Sequence, residues 1–178
     1  MSSFPEAAKL VRNYEDQVEA LRQIWRRRSE LISAPRGHFS GLSEGELERR
    51  LKDDRNELDH WALLAVAASF EGLLRTDYLS RVGGNRPVDP SLGGLATLFQ
   101  TYGTRARLDD IRAFWEALCV MDRGPKGEIS QFLGHRHWLA HGRYWKNPHG
   151  RPPSPQRASV SVAAYVAAIQ TVAPDFPL

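Results

Sequence analysis

Trp61-Ala62-Leu63-Leu64-Ala65-Val66-Ala67-Ala68-Ser69-Phe70-Glu71-Gly72-Leu73-Leu74 decides the fold class of this 178-residue chain. Wound as a helix, the stretch is apolar on nearly every side, and such a helix sits at the centre of its domain. Its longest apolar run, Trp61 to Phe70, is about half a membrane span and is followed by Glu71, so no transmembrane helix is expected. The helix extends back to Ser43-Glu44-Gly45-Glu46, where a serine stands three residues before a glutamate, the signature of a capping box. Leu47, Leu51 and Leu58 form a narrow stripe on its polar first half. The pattern runs on to about Arg81, and Gly83-Gly84-Asn85-Arg86-Pro87 stops it.

The flanking segments are helical too. Ala7, Val11, Tyr14, Val18, Leu21 and Trp25 recur at alternating steps of four and three, which predicts a helix from about Glu6 to Ser33. Ala34-Pro35-Arg36-Gly37 ends it, because proline disfavours helical geometry at the residue before it. The heptad-like stripe suits packing within the bundle or pairing between subunits, and packing within the bundle is the expectation. A third helix is expected from Ser91 to about Tyr102, weakened by Gly93-Gly94, and a fourth from about Leu108 to Met121. Gly124-Pro125-Lys126-Gly127 reads as a break, followed by a fifth helix from near Glu128 to about Trp145. After a Pro- and Arg-containing loop, a last helix covers about Val160 to Val172, although Ser159-Val160-Ser161-Val162 alternates as a short strand does. The expected fold is all-α: one domain over residues 1–178, a bundle of about five or six helices with a long N-terminal helix.

Composition narrows the function classes. With 42% hydrophobic and 25% charged residues, the chain is neither disordered nor fibrous. A single cysteine, Cys119, excludes an intramolecular disulfide framework and fits a reducing cytosol. The first residues lack the apolar core of a signal peptide, so a cytoplasmic location is expected. From Arg123 onward seven basic residues face two acidic ones, a net +5 that leaves −2 for residues 1–122. A basic C-terminal third suits an anionic partner.

Four of the six histidines fall between residues 135 and 149, in Gly134-His135-Arg136-His137-Trp138-Leu139-Ala140-His141-Gly142-Arg143-Tyr144-Trp145. Three readings compete. His137 and His141, four apart, share a helix face and could hold zinc, but a third ligand such as Glu71 or Asp77 must come from elsewhere, and Arg136 and Arg143 oppose a cation. Alternatively the histidines pack in a core, as Trp138, Leu139 and Trp145 do, although burying so many ionisable groups without partners is costly. In the third reading the segment handles phosphate. Arginine carries a permanent planar fork that matches phosphate oxygens, and histidine both takes and gives a proton near neutral pH. Metal-free RNA cleavage needs those functions: a base for the 2′-hydroxyl, a cation for the phosphorane and an acid for the leaving 5′-oxygen.

Arg136-His137-Trp138-Leu139-Ala140-His141 resembles the R-x(4–6)-H motif of the HEPN superfamily, the higher eukaryote and prokaryote nucleotide-binding domains. The motif stands on a late helix of a small all-α chain, His137 fills the place of the polar residue that follows the arginine in that family, and Leu139-Ala140-His141-Gly142 is also typical. Ala68-Ser69-Phe70-Glu71-Gly72-Leu73-Leu74-Arg75 resembles the earlier helix that faces the motif. The likeness spans about residues 55–175, with residues 1–50 as an N-terminal helical part outside it. One subgroup, paired with a minimal nucleotidyltransferase, places a tyrosine two residues after the histidine; here that place is Arg143, with Tyr144 one later.

The resemblance implies a metal-independent endoribonuclease of toxin or phage-defence type, without a cofactor, working on RNA as a homodimer whose two motifs share a cleft. It implies Arg136 and His141 as the catalytic pair and His137 and Glu71 as supporting residues. Arg143, Tyr144 and Lys146 would hold the RNA backbone, and a cognate antitoxin or regulatory protein would restrain the enzyme. The alternative is a non-catalytic RNA- or nucleotide-binding or scaffold module of the same fold.

Overall fold

The computed structural model describes residues 5–83, 92–119, 121, 123–141, 150 and 152–177. The chain is all-α, with no strand among these residues. The helices are α1 (Pro5–Arg26), α2 (Arg28–Ser33), α3 (Glu44–Val82), α4 (Gly93–Tyr102), α5 (Leu108–Leu118), α6 (Arg123–Ala140) and α7 (Pro155–Val172), with a 3₁₀ turn at Gly103–Arg105 between α4 and α5. No helix among the described residues is long and apolar enough to cross a membrane.

α3 is the axis, and it packs against each of the other six helices. The capping box forms as expected: Ser43 Oγ accepts from the Glu46 amide, and the Glu46 carboxylate accepts from the Ser43 amide at 2.8 Å. Leu63, Val66, Ala67, Phe70 and Leu74 are buried along its second half, each contributing on the order of 1.5–3 kcal/mol for the larger side chains. Phe70 meets Tyr165 of α7 edge to face at 5.2 Å between ring centroids. The all-round apolar character does not bury every residue, however. Trp61 is 69% exposed, on the rim of a shallow groove beside Leu10 and Tyr14 of α1.

The stripe on α1 packs within the bundle. Ala7 lies in the main core, while Tyr14 and Val18 are buried, and α1 packs on α3 and α7. Tyr14 donates to Asp59 at 2.6 Å, and Arg55 donates to both, at 2.9 Å to Asp59 and 2.6 Å to the Tyr14 hydroxyl. The single N-terminal helix expected to Ser33 is interrupted at Arg27, where the backbone leaves helical geometry (φ −97°, ψ 15°) before α2 resumes. The weak Gly93-Gly94 start of α4 has a packing reason. A Cβ on Gly94 would stand 2.7 Å from the Phe114 ring, so glycine lets α4 approach α5.

Two expected boundaries are corrected. Gly124-Pro125-Lys126-Gly127 is no break: α6 begins at Arg123 and runs through it. Proline is tolerated there because the first-turn amides of a helix lack internal partners anyway. α7 begins five residues earlier than Val160, at Pro155, and Ser159-Val160-Ser161-Val162 is helical rather than a strand. Ser154 caps it, accepting from the Arg157 amide at 3.2 Å, with proline at the first position where its fixed φ is helical. On a helix Val160 and Val162 lie on nearly opposite sides, and indeed Val160 is exposed while Val162 is buried.

The C-terminal end of the core is closed by charge. Arg81 of α3 is buried and donates to both oxygens of buried Asp77, at 2.9 and 3.0 Å, and to Asp175 at 2.8 Å. Its guanidinium lies 5.6 Å from the Trp115 ring centroid. Burial pulls its pKa down, but the bonds to the two carboxylates outweigh this and hold it above the ordinary value.

Candidate functional site

Arg136, in the last turns of α6, reaches across to α3. Its Nη2 donates to Glu71 Oε2 at 3.0 Å, joining residues 65 apart in the chain. The pair is partly buried, with side-chain exposures of 35% for Arg136 and 19% for Glu71. A guanidinium has five N–H donors in a fixed fork. Glu71 engages one nitrogen, so it orients the fork and leaves the remaining donors to a ligand.

This pair borders a cavity of about 810 Å³ between α3, the α4–α5 connection and α6. Arg75, Arg105, Arg107 and Arg112 line it together with Arg136 and His137. Only Glu71 and Asp109 oppose them among its lining residues, which leaves an excess of three positive charges with histidine counted neutral. The volume is that of a site for a small ligand or a short polymer segment.

Each arginine is placed by local structure. Arg75 lies one helical turn beyond Glu71 and donates to the Ala106 carbonyl at 3.3 Å, tying the α4–α5 connection to α3. Ala106 is buried and extended (φ −50°, ψ 135°), and Arg107 is extended too (φ −70°, ψ 145°). Arg105 closes the 3₁₀ turn and Arg107 precedes α5; both are exposed and line the cavity on either side of buried Ala106. Arg112 is committed within α5: its Nε lies 3.0 Å from Glu116 and its Nη2 3.7 Å from Asp109.

The histidines divide by role. His135 is buried, with its ring 5.3 Å from Trp138 and 6.3 Å from His60, and belongs to the packing. His137 is exposed and lines the cavity. His141 is the first residue beyond α6; its amide still donates to the His137 carbonyl, and its ring lies 4.2 Å from that of His137. The structure thus brings Glu71, Arg136 and His137 onto one cavity. His141 stands next to His137, outside the residues that line that cavity. Arg143, Tyr144 and Lys146 lie outside the described residues. Among the described residues no three His, Cys, Asp or Glu side chains come together in a metal-binding group.

Cys119 caps the end of α5 half-buried, and burial pushes its thiol up to about 11. It is therefore a protonated packing group near neutral pH. The sequence reading missed Arg75, Arg105, Arg107 and Arg112. Arg105-Ala106-Arg107, two arginines around a small apolar residue between helices, carries a local signal, because burying the alanine leaves both flanking charges at the surface.

No family model, curated protein or solved structure gives a match to the chain. Fold and site together define an all-α bundle with an arginine-lined cavity at the junction of α3, α5 and α6.

Proposed function

We propose that the chain is a metal-independent endoribonuclease of the HEPN kind, acting in the cytoplasm as a homodimer, of toxin or phage-defence type. One observation carries the reading: Arg136, oriented by Glu71, opens with His137 onto an arginine-lined cavity, and the His141 ring lies against that of His137 at a tilt of 59°. In this mechanism the phosphate at the scissile bond sits against the free donors of Arg136. His141 takes the proton of the 2′-hydroxyl, the 2′-oxygen attacks phosphorus, and the 5′-oxygen leaves with a proton from the partner's His141. The products are a 2′,3′-cyclic phosphate and a 5′-hydroxyl. One Arg and one His per chain are too few for base, acid and cation, whereas two chains supply enough. Arg143, Tyr144 and Lys146 would extend the grip on the RNA, and a cognate antitoxin or regulatory protein would hold the activity in check.

Incubating purified protein with RNA and weighing the new ends tests this. Cyclic phosphate ends are expected, unchanged in excess chelator, and Arg136→Ala and His141→Ala should each abolish them with the helical circular dichroism intact. Full cleavage by either variant, or loss of cleavage in chelator, would overturn the assignment. So would a 20 kDa sedimenting species at micromolar concentration. A second reading, a non-catalytic module that binds RNA or nucleotides or acts as a scaffold, draws on the position of His141 outside the cavity lining. It expects binding that His141→Ala leaves unchanged, and no cleavage.

A further inference from the structure

Arg105 and Arg107 are a second charged centre, separate from the R-x4-H helix. They come from the α4–α5 connection, which that reading does not use. Unlike Arg112, which is tied to Glu116 and Asp109, and Arg136, which is tied to Glu71, neither has an ion-pair partner among the described residues. Both are exposed, and both flank a buried alanine whose carbonyl is held by Arg75. The backbone carrying them is therefore fixed while their guanidinium groups are left to a ligand. Two permanent cations on a pinned connection, lining one cavity with Arg136, match an anion with more than one phosphate.

We infer that Arg105 and Arg107 form a phosphate subsite for a single-stranded stretch of RNA, gripping the backbone phosphate next to the one held at Arg136. The inference rests on the reading of Arg136 as the residue at the scissile phosphate. A single strand is the form that fits. The arginines line a concavity, into which a flexible backbone can bend, whereas a duplex carries its phosphates on the outside of a broad, stiff cylinder. The subsite reads backbone rather than bases, since guanidinium–phosphate bonds fix register and carry no sequence information. It also reconciles the cavity with its two acids: Glu71 and Asp109 are engaged by Arg136 and Arg112, and Arg75 is turned to a carbonyl, which leaves Arg105 and Arg107 as the lining charges with no ion-pair partner among the described residues.

The test is a binding measurement that does not depend on cleavage. A labelled 2′-O-methyl oligoribonucleotide cannot undergo 2′-hydroxyl attack, so its anisotropy with the full chain reports affinity alone. Log K plotted against log salt should fall for the parent protein. The slope should be shallower by about 0.7 in the double variant Arg105→Gln/Arg107→Gln, the value for one single-strand phosphate that the variant no longer neutralises. The charge-matched control Arg22→Gln/Arg49→Gln, on α1 and the start of α3, should keep the parental slope. All four side chains are exposed, so folding is not at stake. Equal flattening by both double variants would overturn the inference, as would a hairpin duplex binding as tightly as the single strand. Binding of inorganic tripolyphosphate without binding of the oligonucleotide would also overturn it. With cleavable RNA, the Arg105→Gln/Arg107→Gln protein should show a raised KM at unchanged kcat. Salt-dependent binding through Arg105 and Arg107 without cleavage would remove the nuclease reading and keep the subsite. Cleavage with parental KM in that variant would remove the subsite and keep the nuclease.

Discussion

Arg81 and Arg136 sit in opposite electrostatic settings although each is paired with a carboxylate. Arg81 is closed off: it is 2% exposed, chelated by Asp77, bonded to Asp175 and packed over Trp115. Arg136 stays open, with one bond to Glu71 on the edge of a cavity where arginines outnumber acids. A buried charge held by two carboxylates and shut off from solvent can only hold the fold together. A half-buried charge with spare donors among like charges is poorly compensated by the protein itself, which is the condition for attracting an anion. Their difference separates structure from site more clearly than the presence of an ion pair does.

The largest effect should come from opening the closed arginine. Arg81→Ala leaves Asp77 buried without its partner and should cost about 3–5 kcal/mol in urea unfolding. Replacing both charges, as Asp77→Leu with Arg81→Met, should recover much of that loss, because the penalty belongs to the stranded charge and not to the missing attraction. The open arginine should behave in the reverse way. Arg136→Ala should change stability by no more than about 1 kcal/mol, since its ion pair is partly solvated, while on the proposed nuclease reading cleavage is lost, a fall of at least about 10²–10³-fold. A comparable loss of stability in both variants would erase the distinction drawn between the two regions.

The smallest effect lies in a third, intermediate region, the Tyr14–Arg55–Asp59 cluster that joins α1 to α3. Burial, together with the hydrogen bond to Asp59, pushes the Tyr14 phenol up from 10.0 to about 12. A raised folded value favours the protonated form, so this stabilisation is complete below pH 10 and is lost as pH rises through 12. Tyr14→Phe should cost about 1 kcal/mol at neutral pH and should remove the alkaline step from a plot of melting temperature against pH. An unchanged alkaline step in that variant would place the titrating group elsewhere.

Much of the fold was legible because helix signals are local. The capping box at Ser43, the apolar stripe through Leu63, Phe70 and Leu74, and the stop before Pro35 all act within a few residues of themselves. The misread boundaries were places where one local rule has two outcomes. Pro125 breaks a helix interior but is harmless in a first turn, and four alternating residues at Ser159–Val162 are too few to distinguish strand from helix. The candidate site was legible only in part. Arg136 and His137 stand out in their own segment, and Glu71 entered through a resemblance, but Arg75, Arg105, Arg107 and Arg112 belong to the stretch whose net charge is −2. Summing charge along the chain placed the positive excess after residue 122, whereas the cavity gathers most of its arginines from before it.

By itself the sequence determined the helical class, the central place of α3 and a cationic, histidine-bearing face on α6, because periodicity and capping depend on neighbours a turn away. Only the tertiary structure decided which polar faces meet. It brought Arg136 to Glu71 across 65 residues and Arg75 to Ala106 across 31. Apolar periodicity states which side of a helix is buried and is silent about what its remaining charged side confronts once the helices have packed.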